Sequence, residues 1–141
     1  MRIADVLRNK GAEVGTIGSG ATVGEVIAEL ARGNYGALPV VDGDRLVGIV
    51  SERDVVRRLH TQGAELVSAP VTEIMTTDVV TCAPEDSALE LSRVMTERRI
   101  RHLPVTVDGK LVGIVSIGDM VKARIDSLEV EREQLQSYIA S

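Results

Sequence analysis

The chain has no Trp and no Phe, and only two Tyr, Tyr35 and Tyr138, among its 141 residues. Its core must therefore be aliphatic, and a planar ligand would be held by aliphatic side chains and backbone groups rather than by stacked rings. It has one cysteine, Cys82, which excludes an internal disulfide and fits a reducing compartment. Cys82 lies in an apolar run with no general base beside it, so it reads as a small buried hydrophobe. No apolar stretch approaches the roughly 18 residues of a membrane-spanning helix. Met1-Arg2-Ile3-Ala4-Asp5 meets charge at once, so no signal peptide is expected and the cytoplasm is the expected location. A net charge of −5 excludes the global basic footprint of a nucleic-acid binder. His60 and His102 are the only histidines, and neither has a partner at metal-ligand spacing. Neither phosphate-loop glycine motif is present. Ser51 and Ser116 have no His partner in sequence reach, so no nucleophile–base–acid set is legible and no enzyme is expected.

What is present is a repeat. LVGIVSERD, Leu46 to Asp54, returns as LVGIVSIGD, Leu111 to Asp119. Residues 38–58 and 103–123 align without a gap at an offset of 65. Two copies are too few for a solenoid, so two similar halves related by a pseudo-two-fold axis are expected. The length is that of one domain, able to bury roughly 70% of its unfolded surface without a staple.

The pattern predicts a short helix at 3–9 and a strand at 14–17. Thr22-Val23-Gly24-Glu25 is a capping box that opens a helix to about Arg32, with Gly33 as its stop. A hairpin follows, strands 37–41 and 45–50 turning at Asp42-Gly43-Asp44, then a helix from Glu52 to about His60. Residues 61–69 read as a polar link. The second half repeats the plan. A short helix at 71–75 and a strand at 79–82 precede a helix from the box Ser87-Ala88-Leu89-Glu90 to about Arg98. The hairpin 103–107 and 110–115 turns at Asp108-Gly109. The last helix runs from Ser116 to about Ile139, with Val121, Ile125, Leu128, Leu135 and Ile139 as an apolar stripe that folds back or meets another chain. The fold class is thus α/β (α+β), two β-α-β-β-α units plus an extended C-terminal helix. The expected division is 1–62, a link at 63–69, 70–126, and an extension at 127–141.

Ser51-x-x-Asp54 and Ser116-x-x-Asp119 stand at the two strand-to-helix corners. Spacing alone favours a helix cap, since a Ser followed three residues later by an acid is a helix-start signature. Two features point further. The other two helices carry Glu at this place, Glu25 and Glu90, whereas both corners carry the shorter Asp. Both corners also follow Gly-Ile-Val, where Gly48 and Gly113 permit close backbone approach. A helix N-terminus with a hydroxyl suits phosphate. A short carboxylate beside it can accept from vicinal ribose hydroxyls. In Glu97-Arg98-Arg99-Ile100-Arg101-His102, Arg98 and Arg99 read as solvated cations at a helix C-terminus. Arg101 and His102 divide between surface and ligand.

The duplicated Leu-Pro-Val…Leu-Val-Gly-Ile-Val-Ser-x-x-Asp unit resembles a tandem pair of CBS domains, the Bateman module, from about Ile3 to Ile125. The resemblance implies two CBS repeats that bind adenosyl nucleotides between the halves and regulate another protein without catalysis. It implies AMP, ADP or ATP as regulatory ligand, no catalytic cofactor, a homodimer and a separate regulated partner. Carried over by position, it implies a first cleft of Ser51, Arg53 and Asp54 with Thr76, Asp78, Val80, Ile100, Arg101 and His102. A second cleft joins Ser116 and Asp119 to Gly15, Tyr35, Gly36 and Ala37. In both, Asp holds the ribose and backbone groups read the adenine. Gly118 replaces Arg53 in the second cleft, and Gly36-Ala37 replace Arg101-His102. The first cleft is thus expected to take phosphorylated adenosine, and the second to stay empty or accept a less charged ligand. Met75-Thr76 have no clear match in the first half, which carries Leu7-Arg8 and an insertion. The rival readings are an adaptor with idle clefts, working through its last helix, and an enzyme using Cys82 or His102.

Overall fold

A computed structural model describes residues 1–11 and 14–140. The element order is α1 (Ile3–Lys10), β1 (Ile17–Gly18), α2 (Val23–Gly33), β2 (Ala37–Asp42), β3 (Arg45–Ser51) and α3 (Glu52–Gln62), then α4 (Ala88–Arg98), β4 (His102–Val107), β5 (Lys110–Ser116) and α5 (Ile117–Ala140). Two 3₁₀ turns, Gly63–Ser68 and Val71–Glu73, lie between α3 and α4. Ser141, the last residue of the expected extension, and residues 12 and 13 lie outside the described residues.

The strands form one sheet in the order β1-β2-β3-β5-β4. Each half supplies an antiparallel hairpin, and the hairpins meet at a single pair, Arg45 opposite Lys110. These two residues hold the same place in the two copies, so the pairing marks the pseudo-two-fold axis. The Leu46 N–H donates to the Gly109 carbonyl at 3.2 Å, and the Leu111 N–H donates to the Asp44 carbonyl at 3.0 Å. Even the register slips match, between Val40 and Val41 and between Val105 and Thr106. The turns differ: only Gly43 has positive φ among the turn residues of the first hairpin, whereas Asp108 and Gly109 both do in the second. Asp-Gly suits that second geometry because both residues tolerate the left-handed region.

The aliphatic composition yields two cores, one per half. Leu38, Val40 and Val50 anchor the first with Val23, Val26 and Leu66. Leu103, Val105 and Val115 anchor the second with Met95, Met120 and Cys82. The leading segments are exchanged between them. Ile3 and Val6 of α1 lie in the second core, and Val71 and Ile74 lie in the first. Matching backbone clamps hold the exchange: Ile3 N–H to Asp86 O at 2.9 Å and Ala88 N–H to Met1 O at 3.0 Å, against Val71 N–H to Ala21 O at 2.9 Å and Val23 N–H to Ala69 O at 2.8 Å.

Five local expectations need correction. The strand expected at 14–17 forms only at Ile17–Gly18, where it pairs with Val40 and Val41. The strand expected at 79–82 reduces to one bridge, Cys82 with Val105, because the Ala83 amide turns to Asp86 Oδ2 and Pro84 has no N–H to continue the ladder. The short helix expected at 71–75 is a 3₁₀ turn. The polar link contains a 3₁₀ turn whose Leu66 is fully buried in the first core. The stop of α2 is Asn34, left-handed at φ 54°, not Gly33. Gly33 serves a different need: a Cβ there, or on Gly15, would overlap the Tyr35 ring.

Helix α5 spans 24 residues, about 36 Å at 1.5 Å per residue. Only Met120 and Ala123 along it are buried. Its stripe, Val121 through Ile139, does not fold back; those side chains are exposed.

Candidate functional site

Both corners form as capped helix starts. The Asp54 N–H donates to Ser51 Oγ at 3.2 Å, and the Ser51 N–H and Oγ–H both donate to Asp54 Oδ2, at 2.8 and 3.0 Å. The Ser116 N–H donates to Asp119 Oδ2 at 2.8 Å, and the Asp119 N–H to Ser116 Oγ at 3.0 Å. The capping reading of the spacing is therefore realised at both. Each carboxylate uses Oδ2 for its own helix and keeps Oδ1 out of those bonds. The residue before each hairpin ties to the same corner: the Gly36 carbonyl accepts from the Glu52 N–H at 3.0 Å, and the Arg101 carbonyl from the Ile117 N–H at 2.9 Å.

The largest cavity described, about 670 Å³, opens beside the first corner. Ser51, Glu52, Arg53, Val56 and Arg57 line it from the first half together with Gly36, and Arg99, Arg101 and His102 from the second. Four arginines and a histidine thus line it with a single acid, Glu52. Such a chamber suits a multiply charged anion, held by charge-assisted hydrogen bonds. Burial first, then Lys10 and Arg101, hold His102 below the usual imidazole range, against the opposing pull of Asp119 and Glu52. The same imidazole is thus in the field of both corners.

Of the residues expected in the first cleft, Ser51, Arg53, Arg101 and His102 share this cavity. Asp54 stands one helical step away on α3, within the cap. Thr76 pairs through its backbone with Ile49, and Val80 and Ile100 pack partly buried on the second core. Asp78 is exposed and does not line the cavity. Gly36, expected with the second cleft, lines the cavity of the first corner and touches His102. Ala37 is buried opposite Ser51, and Tyr35 covers Gly15 and Gly33 against the first core.

The second corner looks different. Asp119 lines a cavity of about 220 Å³ with Lys10, Lys122 and Asp126. Its burial pushes the carboxyl up, but the Lys10 ammonium and the Ser116 bonds outweigh that and hold it below the usual carboxylate range.

The repeat did not single out Arg57, Arg99 or Lys10. Arg57 follows Arg53 by one helical turn, so its place on the same face was legible. Arg99 was read as solvated and is exposed; as the left-handed residue ending α4 it also lines the cavity. The exchange of leading segments also finds the match that Met75-Thr76 lacked: Leu7 lies where a Cβ on Gly113 would be, as Met75 does at Gly48. Cys82 is buried and its thiol is pushed up to about 12, first by burial and then by Asp86, which removes it as a thiolate nucleophile at neutral pH. Among the described residues no three His, Cys, Asp or Glu cluster as metal ligands. No described helix is long and apolar enough to cross a membrane.

The sequence model of the CBS domain family matches residues 3–61 and 71–126. The chain is similar to the mitochondrial CBS domain-containing protein CBSX3 of Arabidopsis thaliana, 36% identical over 97% of this chain and 71% of that one. Its fold resembles the CBS-domain containing protein ATU1752 from Agrobacterium tumefaciens, TM-score 0.82 at 39% identity, covering 88% of this chain and 99% of the other. It also resembles the CBS domain pair of protein MJ0100, solved in complex with 5′-methylthioadenosine and S-adenosyl-L-methionine, TM-score 0.78 at 26% identity, covering 90% and 98%.

Proposed function

The chain belongs to the CBS domain family, and from that premise we propose that it is a regulatory sensor of adenosyl nucleotides of the AMP, ADP and ATP class. Pairs of CBS domains are regulatory modules, and one pair of the same fold was solved with two adenosyl compounds. The observation that carries the reading is the chamber at the first corner. It gathers Arg53, Arg57, Arg99, Arg101 and His102 beside a helix start that carries Ser51, one turn from the Asp54 carboxylate. Phosphates enter the chamber, and Asp54 Oδ1 accepts from the ribose. Backbone groups and Val56 read the adenine, since no Phe, Tyr or Trp lines the chamber to stack on it.

The chamber is built by both halves, so an occupant changes the balance of their packing only through unequal affinity for the two arrangements. A second copy of the chain covers the apolar helix faces, and the regulated protein reads the change. A thermal-shift screen of AMP, ADP, ATP, NAD and S-adenosylmethionine tests the proposal. A ligand that binds only the folded state raises the melting point by mass action, by about 2.7 kcal/mol of stability at a hundredfold excess over Kd. No shift with any of the five contradicts it.

The exposed stripe of α5 favours a second reading, an adaptor that binds partners through this helix. Asp54→Ala separates the two, because it abolishes nucleotide binding and alters signalling only if the molecule is a sensor.

A further inference from the structure

The two corners differ in what meets the carboxylate. In the first, Ile49 and Thr76 exchange both backbone hydrogen bonds, at 2.9 and 2.8 Å. Ile114 is the counterpart of Ile49, yet its carbonyl accepts from the Lys10 ammonium at 2.9 Å. The same ammonium donates to Asp119 Oδ2 at 2.7 Å. The cause lies in the leading segments. The turn at Val71–Glu73 ends before Met75 and frees the next backbone groups to pair. Helix α1 instead runs past Leu7, the counterpart of Met75, as far as Lys10. Its backbone is committed to the helix, and a side chain reaches Ile114 in its place.

The pair is partly withdrawn from water, with Lys10 and Asp119 side chains 29% and 24% exposed. Lys10 also stands between two spaces. One, about 400 Å³, is lined by Leu7, Gly113 and Ile114, and the other, about 220 Å³, by Asp119. Lys10 lines both. Among the described residues no cation lies within ion-pair distance of Asp54.

We propose that Lys10 is a built-in occupant of the second corner: its ammonium, anchored on the Ile114 carbonyl, neutralises the Asp119 carboxylate from Oδ2 and stands beside the Oδ1 that a ribose would need. One chain therefore binds one nucleotide, at the first corner, and the second corner stays closed while Lys10 is on Asp119. A sugar hydroxyl also makes a charge-assisted bond to the carboxylate, but it cannot replace the attraction between two full charges in a pair partly withdrawn from water. Lys10 is thus a specificity-determining residue that turns two similar corners into one sensor site. The inference rests on the reading that the Ser-x-x-Asp corners receive ribose.

Isothermal titration with adenosine, which needs no phosphate-binding cations at the second corner, tests it, using the full chain and four variants whose folding is checked by melting. Wild type binds one equivalent and Asp54→Ala none. Lys10→Met, which keeps the length of the aliphatic stem, binds two, and adding Asp119→Ala returns it to one. Lys10→Met with Asp54→Ala binds one, now at the second corner. Lys10→Gln replaces Lys10→Met if the latter fails to fold. One equivalent in wild type, lost in Asp54→Ala but still one in Lys10→Met, overturns the role of Lys10 and leaves the ribose reading intact. Two equivalents in wild type also overturn it. No binding in wild type or Lys10→Met overturns the ribose reading, and this inference with it.

Discussion

Gly36 and His102 meet across the two halves: a Cβ on Gly36 would stand 3.2 Å from His102 Cε1 and 3.3 Å from Nε2. In the repeat, Gly36-Ala37 hold the place of Arg101-His102. The missing side chain in one copy makes room for the imidazole of the other, and this breaks the pseudo-symmetry at the centre of the molecule. Gly36→Ala should displace the ring by a few tenths of an ångström, visible as shifted His102 resonances with little loss of stability. Gly36→Leu should fill the mouth of the chamber and abolish nucleotide binding while the fold persists, as read by calorimetry and circular dichroism.

Arg53 and Arg101 face the chamber from opposite halves. Removal of either should weaken ADP by about 1.5–3 kcal/mol, the range for hydrogen bonds to charged groups. Adenosine, which has no phosphate, should bind Arg53→Ala and Arg101→Ala as it binds wild type. Titration of both ligands against both variants makes the comparison, and equal losses for adenosine and ADP would count against a phosphate role.

Gly48 and Gly113 are equivalent, yet they should tolerate alanine unequally. A Cβ on Gly48 would meet Met75 Sδ at 2.7 Å and the Thr76 carbonyl at 3.0 Å. The three atoms nearest a Cβ on Gly113 all belong to the Leu7 side chain, the closest a methyl at 2.8 Å. A side-chain end can swing aside, but a backbone carbonyl held in a two-way bridge cannot. Gly48→Ala should destabilise by about 1–3 kcal/mol, the usual overpacking range, and Gly113→Ala by less. Urea denaturation of the two variants decides it.

Acid should weaken the fold in two stages. His102 is held below the ordinary imidazole value by burial, then by Lys10 and Arg101, so its folded value lies below the unfolded one. Its contribution is complete above about pH 6.5 and is lost as pH falls through the folded value. Asp119 is also depressed, because Lys10 and Ser116 outweigh its burial, so its contribution is complete above about pH 4 and is lost in stronger acid. Phosphate in the chamber favours the imidazolium and reverses the first preference. ADP should therefore bind more tightly as pH falls from about 7.5 to 6, with proton uptake, while adenosine stays flat. Titrations in two buffers of different ionisation enthalpy measure the uptake directly.

The repeat made much of this molecule legible. Two gapless copies locate both hairpins, both corners and the symmetry, because a buried strand entering a capped helix is a local pattern. Capping boxes locate α2 and α4 for the same reason. Val79–Cys82 misled because apolar β-branched residues favour a strand, whereas Pro84 and Asp86 terminate pairing after one residue. Leu66 was illegible because a single apolar residue in a polar segment carries no period. The exchange of α1 with Val71–Glu73 was beyond the pattern as well, since hydrophobic faces do not declare which core receives them. Lys10 shows this most clearly: its partner Asp119 lies 109 positions away, joined only by the folded topology.

The central claim is that the carboxylate of Asp54 accepts from the hydroxyls of an adenosine sugar, and the sugar can be altered without touching the protein. Calorimetry should compare ADP with its 2′,3′-dideoxy analogue on wild type and on Asp54→Ala. In wild type, loss of the hydroxyls should weaken binding by about tenfold or more, the scale of a charged hydrogen bond; on Asp54→Ala the two ligands should bind alike. Equal affinity of both ligands for wild type, or an undiminished difference on Asp54→Ala, would contradict the account.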